Sequence, residues 1–187
     1  VKLLVITAST REQRIGHLIA DWAIEQVRAH GKFHPELADL KAINLPMLDE
    51  PNHPRFANYQ HAHTKAWSAT VTAADAYLFV VPEYNYAMPP AMLNAIDYLF
   101  HEWAYKPAAF VSYGGISGGT RSVQSAKPVL TSMKTMPIPE AVTLPFVRNF
   151  LKDGRFFAEE AQIKSAAAML EELHRWAAAL GTIRKEP

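Results

Sequence analysis

The feature that most constrains this chain is a set of short, continuously apolar runs, each followed by a helical pattern. "KLLVIT" (2–7), "AYLFVV" (76–81) and "PAAFVSY" (107–113) show no polar alternation, so both faces of each run must be buried. A weaker run, "HPELADL" (34–40), reads as a half-exposed strand, and a last strand falls near 138–144. Helical patterns separate them at 17–30, 61–73, 89–103 and about 120–133, and another closes the chain at 159–180. Leu18, Trp22 and Val27 face inward in the first of these. Ile163, Ala167, Leu170, Leu173, Ala177 and Leu180 share one stripe in the last. The proline-rich, polar stretch 41–60 reads as a long surface loop. Buried strands alternating with helices demand a parallel sheet covered on both faces. About five strands match the smaller doubly wound α/β architecture, a three-layer sandwich of strand order 2-1-3-4-5. No linker, repeat or low-complexity segment interrupts it, so residues 1–187 are expected to form one domain.

Composition narrows the function classes. The formal net charge of +1, with no long basic run, argues against a nucleic-acid surface. No apolar stretch reaches the length of about 18 residues that a membrane span needs. The first residues are strand-like and lack a signal-peptide layout. The absence of cysteine removes disulfides, thiolate metal ligation and thiol catalysis, and suits a reducing cytoplasm.

Ligands of open parallel sheets bind beyond the carboxyl ends of the strands, where the strand order reverses. Three strands here end in unusual sequence. "ASTREQRIG" (8–16) offers the hydroxyls of Ser9 and Thr10, the guanidinium forks of Arg11 and Arg14, and backbone amides near Ile15 and Gly16 at a helix start. Those are the donors an anion needs. "PEYNYAMPP" (82–90) brings Tyr84, Asn85 and Tyr86, and "SYGGISGG" (112–119) brings glycines that let a flat ligand approach the backbone. A phosphate attached to a planar aromatic ring satisfies all three loops.

The same segments, with "VVPEYNYAMPPAMLNAIDYL" (80–99) read in full and "DGRF" (153–156) before the last helix, resemble the NAD(P)H-dependent FMN reductase family. These are flavodoxin-like quinone, azo and chromate reductases, and the resemblance covers nearly the whole chain. It implies bound FMN, NAD(P)H as cosubstrate, and ping-pong hydride transfer to small acceptors. Its phosphate loop falls on Ser9, Arg11, Arg14, Ile15 and Gly16. Its flavin-edge loop falls on Pro82, Glu83, Tyr84 and Asn85 with Tyr86 beside them, and its third loop on Ser112, Tyr113, Gly114 and Gly115. The flavin carries the chemistry, so no catalytic acid or base is implied, and Glu83 reads as a structural turn acceptor. A single terminal phosphate suits the short first loop, and no G-x-G-x-x-G fingerprint for a dinucleotide is present. The chain departs from the pattern at Ala8, where glycine is usual, and at Arg14, where a small hydroxyl residue is common. It departs again at Pro90, in place of glycine, and at Leu93, in place of a frequent lysine. Arg11, Arg14 and Arg121 are candidate partners for the 2′-phosphate of NADPH.

Rival readings remain at this level. "GISGG" (115–119) fits the G-x-S-x-G of a serine hydrolase, with Ser117 as nucleophile and Asp153 and His174 following in chain order. His174, however, falls within an amphipathic helix. A non-enzymatic flavodoxin-type electron carrier is a second rival, which the near-neutral charge disfavours. His53, His61 and His63 lie close in sequence, but His61 and His63 would point apart on a helix and no carboxylate completes a metal set. The helix after "PEYNYAMPP" predicts a homodimer or a dimer of dimers. Met92, Ile96, Leu99 and Trp103 form one apolar stripe, and Met88, Ala91, Tyr98 and Phe100 add apolar surface outside it. Family members pair through this region, and Leu93 would make the contact apolar and insensitive to salt. The alternative is that loop 41–60 covers the same surface within one chain.

Overall fold

The computed structural model describes residues 1–184. Five parallel strands form one sheet: β1 (Lys2–Thr7), β2 (His34–Asp39), β3 (Ala76–Pro82), β4 (Pro107–Tyr113) and β5 (Met136–Leu144). Their spatial order is β2-β1-β3-β4-β5, as the sequence predicts, so the order reverses between β1 and β3. β3 and β4 are buried at every residue, whereas β2 at the edge is half-exposed. Six helices accompany them: α1 (Gly16–His30), the short α2 (Leu40–Ile43), α3 (Ala62–Ala73), α4 (Pro90–Asp97), α5 (Thr120–Ser132) and α6 (Glu160–Ile183). A two-residue hairpin, β6 (Leu151–Lys152) with β7 (Arg155–Phe156), precedes α6 and was not evident in the sequence.

Two cores flank the sheet. α1 and α6 cover one face, where Leu3, Val5, Leu78, Val80 and Val111 meet Ile19, Trp22 and Leu173. α3, α4 and α5 cover the other, where Leu4, Ile6, Phe79 and Phe110 meet Trp67, Ile96 and Leu130. The buried stripe of α6 is Ala166, Met169, Leu170, Leu173 and Ala177; Ile163 and Ala167 face solvent. The sequence-derived stripe was thus offset over the first two turns, where Ala166 and not Ile163 or Ala167 turns inward.

The helix expected over 89–103 ends at Asp97. Trp103 has to turn inward, where its ring packs 4.9 Å from that of Tyr77 and its indole N–H donates to the Ile96 carbonyl at 3.1 Å. A single 3₁₀ turn at His101–Trp103 makes that entry. The chain itself covers most of the helix. Asn94 Nδ2 donates to the Pro46 carbonyl at 2.7 Å, Leu48 N donates to Asn94 Oδ1 at 2.9 Å, and the Tyr98 hydroxyl donates to Asp49 Oδ1 at 2.9 Å. Glu50 closes the strap by accepting from the amides of Gln60 and His61. Met92, Ile96, Tyr98, Leu99 and Trp103 are all fully buried in the single chain. The apolar surplus that predicted a dimer is therefore covered in cis, by residues 44–60.

Candidate active site

The first loop leaves β1 through Ala8, whose amide donates to the Val80 carbonyl across the sheet and which has no exposure at all. An alanine is therefore accommodated where glycine is usual. α1 begins without a side-chain cap, and the amides of Ile15, Gly16 and His17 meet no acceptor among the described residues. Such a helix start carries partial positive charge aimed outward. Gly16 fits closely there, since a Cβ would lie 2.6 Å from the Tyr113 hydroxyl and the phenol would have to shift. Ser9 Oγ is buried and shares a 2.7 Å hydrogen bond with the Tyr84 hydroxyl, tying the first loop to the second. Burial, with Tyr84 nearby, pushes the Tyr113 phenol well above its ordinary range, so it stays protonated. The two arginines differ. Arg14 pairs with Asp39 at the end of β2, and its Nε is buried with no partner. Arg11 is exposed and pairs with no carboxylate among the described residues.

The second loop folds into a tight turn. Tyr84 and Ala87 exchange both backbone hydrogen bonds at 3.0 Å, and Asn85 and Tyr86 between them take φ of 49° and 67°. Two successive left-handed residues make the mirror-image turn that joins antiparallel strands, at a conformational cost that glycine would avoid. Glu83 anchors the turn. Its carboxylate accepts from Ser117 Oγ at 2.7 Å and from Arg121 through the amide at 3.2 Å and Nη1 at 2.9 Å. Burial pushes the Glu83 carboxyl up, but these hydrogen bonds together outweigh it and hold the group below the usual carboxylate range. The Arg121 guanidinium also lies 4.1 Å over the Tyr86 ring. In the third loop Gly119 takes φ of 84°, and a Cβ there would lie 2.7 Å from the Tyr113 amide nitrogen.

The three loops meet. A cavity of about 210 Å³ is lined by Ser9, Arg11, Arg14 and Ile15 from the first, Pro82, Glu83 and Tyr84 from the second, and Tyr113 and Gly114 from the third. A wider cleft of about 590 Å³ continues past Arg11, Glu83 and Tyr84 to Asn85, Met88 and Pro90. Both lie beyond the carboxyl ends of β1, β3 and β4, at the reversal of strand order. The family model for NADPH-dependent FMN reductases matches residues 1–149, which takes in all three loops. The chain belongs to the NADPH-dependent FMN reductase family. An NAD(P)H-dependent FMN reductase of Schizosaccharomyces pombe is 40% identical over 147 residues, covering 77% of this chain and 74% of the relative. An NADPH azoreductase of a Bacillus species is 30% identical over 146 residues, covering 77% and 76%. The NAD(P)H:(acceptor) oxidoreductase FerB of Paracoccus denitrificans shares the fold, with a TM-score of 0.74 at 22% identity over 95% of this chain and 97% of FerB.

This FMN reductase family member is thus an oxidoreductase that uses FMN, with NAD(P)H as cosubstrate. The donor set fits that group. A phosphate suits unpartnered helix-start amides, a free guanidinium and the buried, unpaired Arg14 Nε. Not every expected residue reaches the cavity. Ser112 is fully buried with its hydroxyl unpartnered, Gly115 and Gly16 line neither space, and Tyr86 is held beneath Arg121. The sequence reading missed Gln13, Val147 and Arg148, which line the cavity. The last two follow β5, a strand end with no glycine or hydroxyl signal to mark it.

The hydrolase geometry is not formed. Ser117 donates to Glu83, while His174 packs its ring 5.6 Å from Phe33 at the opposite end of the sheet. Arg121, a candidate for the 2′-phosphate, is spent on Glu83. The histidine geometry corrects the sequence reading. His61 is the residue before α3 rather than part of it, with extended φ and ψ of −85° and 142°, so its ring stacks on His63 at 5.1 Å. A carboxylate is present after all, since His63 Nε2 lies 2.9 Å from Asp49 Oδ1. Among the described residues no group of three or more His, Cys, Asp or Glu side chains converges on a metal position. Among them, too, no helix is long and apolar enough to cross a membrane.

Proposed function

We propose that the crevice holds FMN with its phosphate at the start of α1 and its ring between the second and third loops, and that the protein reduces quinones, azo compounds and similar flat acceptors with NAD(P)H. FMN held by these loops would supply the hydride-transfer chemistry of a ping-pong cycle between NAD(P)H and the acceptor. The observation that carries this reading is the convergence on one cavity of Ile15 at an uncapped helix start, Arg11 and the two phenols.

Each residue then has a physical task. The uncapped start of α1 at Ile15 and the Arg11 guanidinium would hold the phosphate, and Arg14 would contribute through its Nε while Asp39 fixes its position. Ser9 joins Tyr84 to the phosphate loop, and the protonated Tyr113 offers a donor at every physiological pH. Asn85, which lines the wider cleft and whose amide meets no acceptor among the described residues, would face the edge of the ring, and Gly114 lines the cavity between the second and third loops. Glu83 holds the second and third loops in register through Ser117 and Arg121, a structural task that needs no proton transfer.

Mass spectrometry of the chromophore released from purified protein should find FMN, and FAD would overturn the assignment. Steady-state lines in NADPH and benzoquinone should be parallel; intersecting lines would exclude the ping-pong order. Ser117→Ala should keep full reductase activity, since it removes one hydrogen bond to Glu83 and no reacting group.

A homodimer or dimer of dimers remains the assembly that the family resemblance supports. The covering of α4 moves the contact outward. A second chain would meet the outer side of the strap 44–60, where Met47, Leu48 and Phe56 are exposed with Leu93 beside them, so the contact should be apolar and persist at high salt. Sedimentation at two salt concentrations tests this; an assembly that dissociates at high salt would show a charged contact elsewhere.

A further inference from the structure

We propose that Arg148 is the second guanidinium of the phosphate site, and that it makes the crevice select a terminal phosphate dianion. This rests on the FMN reading above and adds a residue from a fourth strand end. Four arginines stand at the crevice. Arg14 is neutralised by Asp39 and Arg121 by Glu83. Arg11 and Arg148 both line the cavity, and neither meets a carboxylate among the described residues. The net fixed charge left facing the cavity is therefore two positive side chains, which matches a phosphate monoester of charge about −1.5 to −2 at neutral pH.

The backbone holds Arg148 in place. After β5 the chain turns at Phe146, whose φ is 47°, and two hydrogen bonds clamp the turn to the third loop. Phe146 N donates to the Gly115 carbonyl at 2.8 Å, and Val147 N donates to the Gly114 carbonyl at 3.0 Å. A bulky residue held in the left-handed region marks a position that the surrounding structure enforces. Here the enforced turn sets Val147 and Arg148 along the cavity wall, across from the first loop. A phosphate at the start of α1 would then lie between guanidinium groups carried by two different strand ends. Riboflavin lacks the phosphate, and the pyrophosphate of FAD has no dianionic terminus, so both would forgo this second cation.

The test compares ligands that differ in the phosphate alone. Full-length wild type, Arg148→Met and Arg148→Lys would each be loaded with FMN or with riboflavin and diluted, with release followed by flavin fluorescence. Arg148→Met should weaken FMN retention by about tenfold to a hundredfold, the scale of one charge-assisted hydrogen bond, and leave riboflavin unchanged within about twofold. Arg148→Lys should recover part of the loss, because the charge remains while the fork is gone. Equal losses for both flavins would show that Arg148 supports the fold of the loop rather than the phosphate, and would overturn the proposal. So would no loss for FMN. A wild type that fails to hold FMN at all would overturn the cofactor reading with it, whereas a wild type that holds FMN and an indifferent Arg148→Met would overturn this inference alone.

Discussion

The two ends of the sheet solve opposite problems. At the amino ends of the strands the charges of Arg184, Asp75 and Lys106 find their partners inside the chain. Arg184 pairs with Asp75, Asp75 also accepts from the Lys2 amide, and the buried Lys106 ammonium donates to the Val71 and Thr72 carbonyls at 2.9 and 3.1 Å. Tyr77 sends its hydroxyl to the carbonyls of Glu102 and Val71. At the carboxyl ends the donors are left over: three helix-start amides, Arg11 and Arg148. One end is closed by its own chain, and the other is open to the ligand proposed above. Mutations should therefore separate into those that lower stability without touching the flavin and those that do the reverse.

The largest effect should come from the closed end. Trp103→Ala removes a fully buried ring packed on Tyr77 and Trp67, and should cost about 3–5 kcal/mol in urea unfolding. The protein that still folds should hold FMN as tightly as wild type; a matching loss of FMN affinity would erase the distinction between the ends. At the open end Arg11→Ala should weaken FMN by about 1.5–3 kcal/mol in equilibrium titration, while unfolding of the flavin-free protein shifts by no more than about 0.5 kcal/mol. An unchanged FMN affinity would remove Arg11 from the phosphate site.

Lys106 sharpens the comparison through pH. Burial pulls its pKa down to about 8, against about 10.4 in the unfolded chain. Between those values the unfolded state binds the extra proton, so stability should rise as pH climbs from 8. That difference is worth about 2 kcal/mol at most by pH 9.5, and the two helix carbonyls that accept from the ammonium favour its charge and reduce the gain. Urea unfolding of wild type against Lys106→Met shows the effect, since the variant should lack that slope. Of the two arginines of the first loop the smaller loss of FMN affinity belongs to Arg14→Ala, because Asp39 already neutralises that guanidinium. A larger loss than Arg11→Ala would exchange the roles of the two arginines.

The sheet was legible because its signal is local: runs such as 76–81 and 107–113 can only be strands buried on both faces. The convergence of three loops was legible because strand order dictates which strand ends are neighbours. What the sequence hid depends on contacts between distant segments. The apolar breadth of α4 is the same whether a second chain or residues 44–60 cover it, and only the bonds to Pro46 and Asp49 decide. His61 and His63 pointed apart only on the assumption of a helix that in fact begins one residue later. Arg14 and Arg11 look alike in "ASTREQRIG", and Asp39, 25 residues beyond Arg14, separates them. Ser112 fell on the inward side of a strand that is buried on both faces, and Arg148 sits after a strand end with no motif.

The Asn85–Tyr86 turn is closed by the chain's own groups, through the paired bonds between Tyr84 and Ala87 and the anchoring of Glu83. The segment has little disorder left to lose, so flavin uptake should not wait for a rare loop shape. Its time course should then be a single exponential whose rate climbs in proportion to flavin concentration, without the plateau that a gating step imposes.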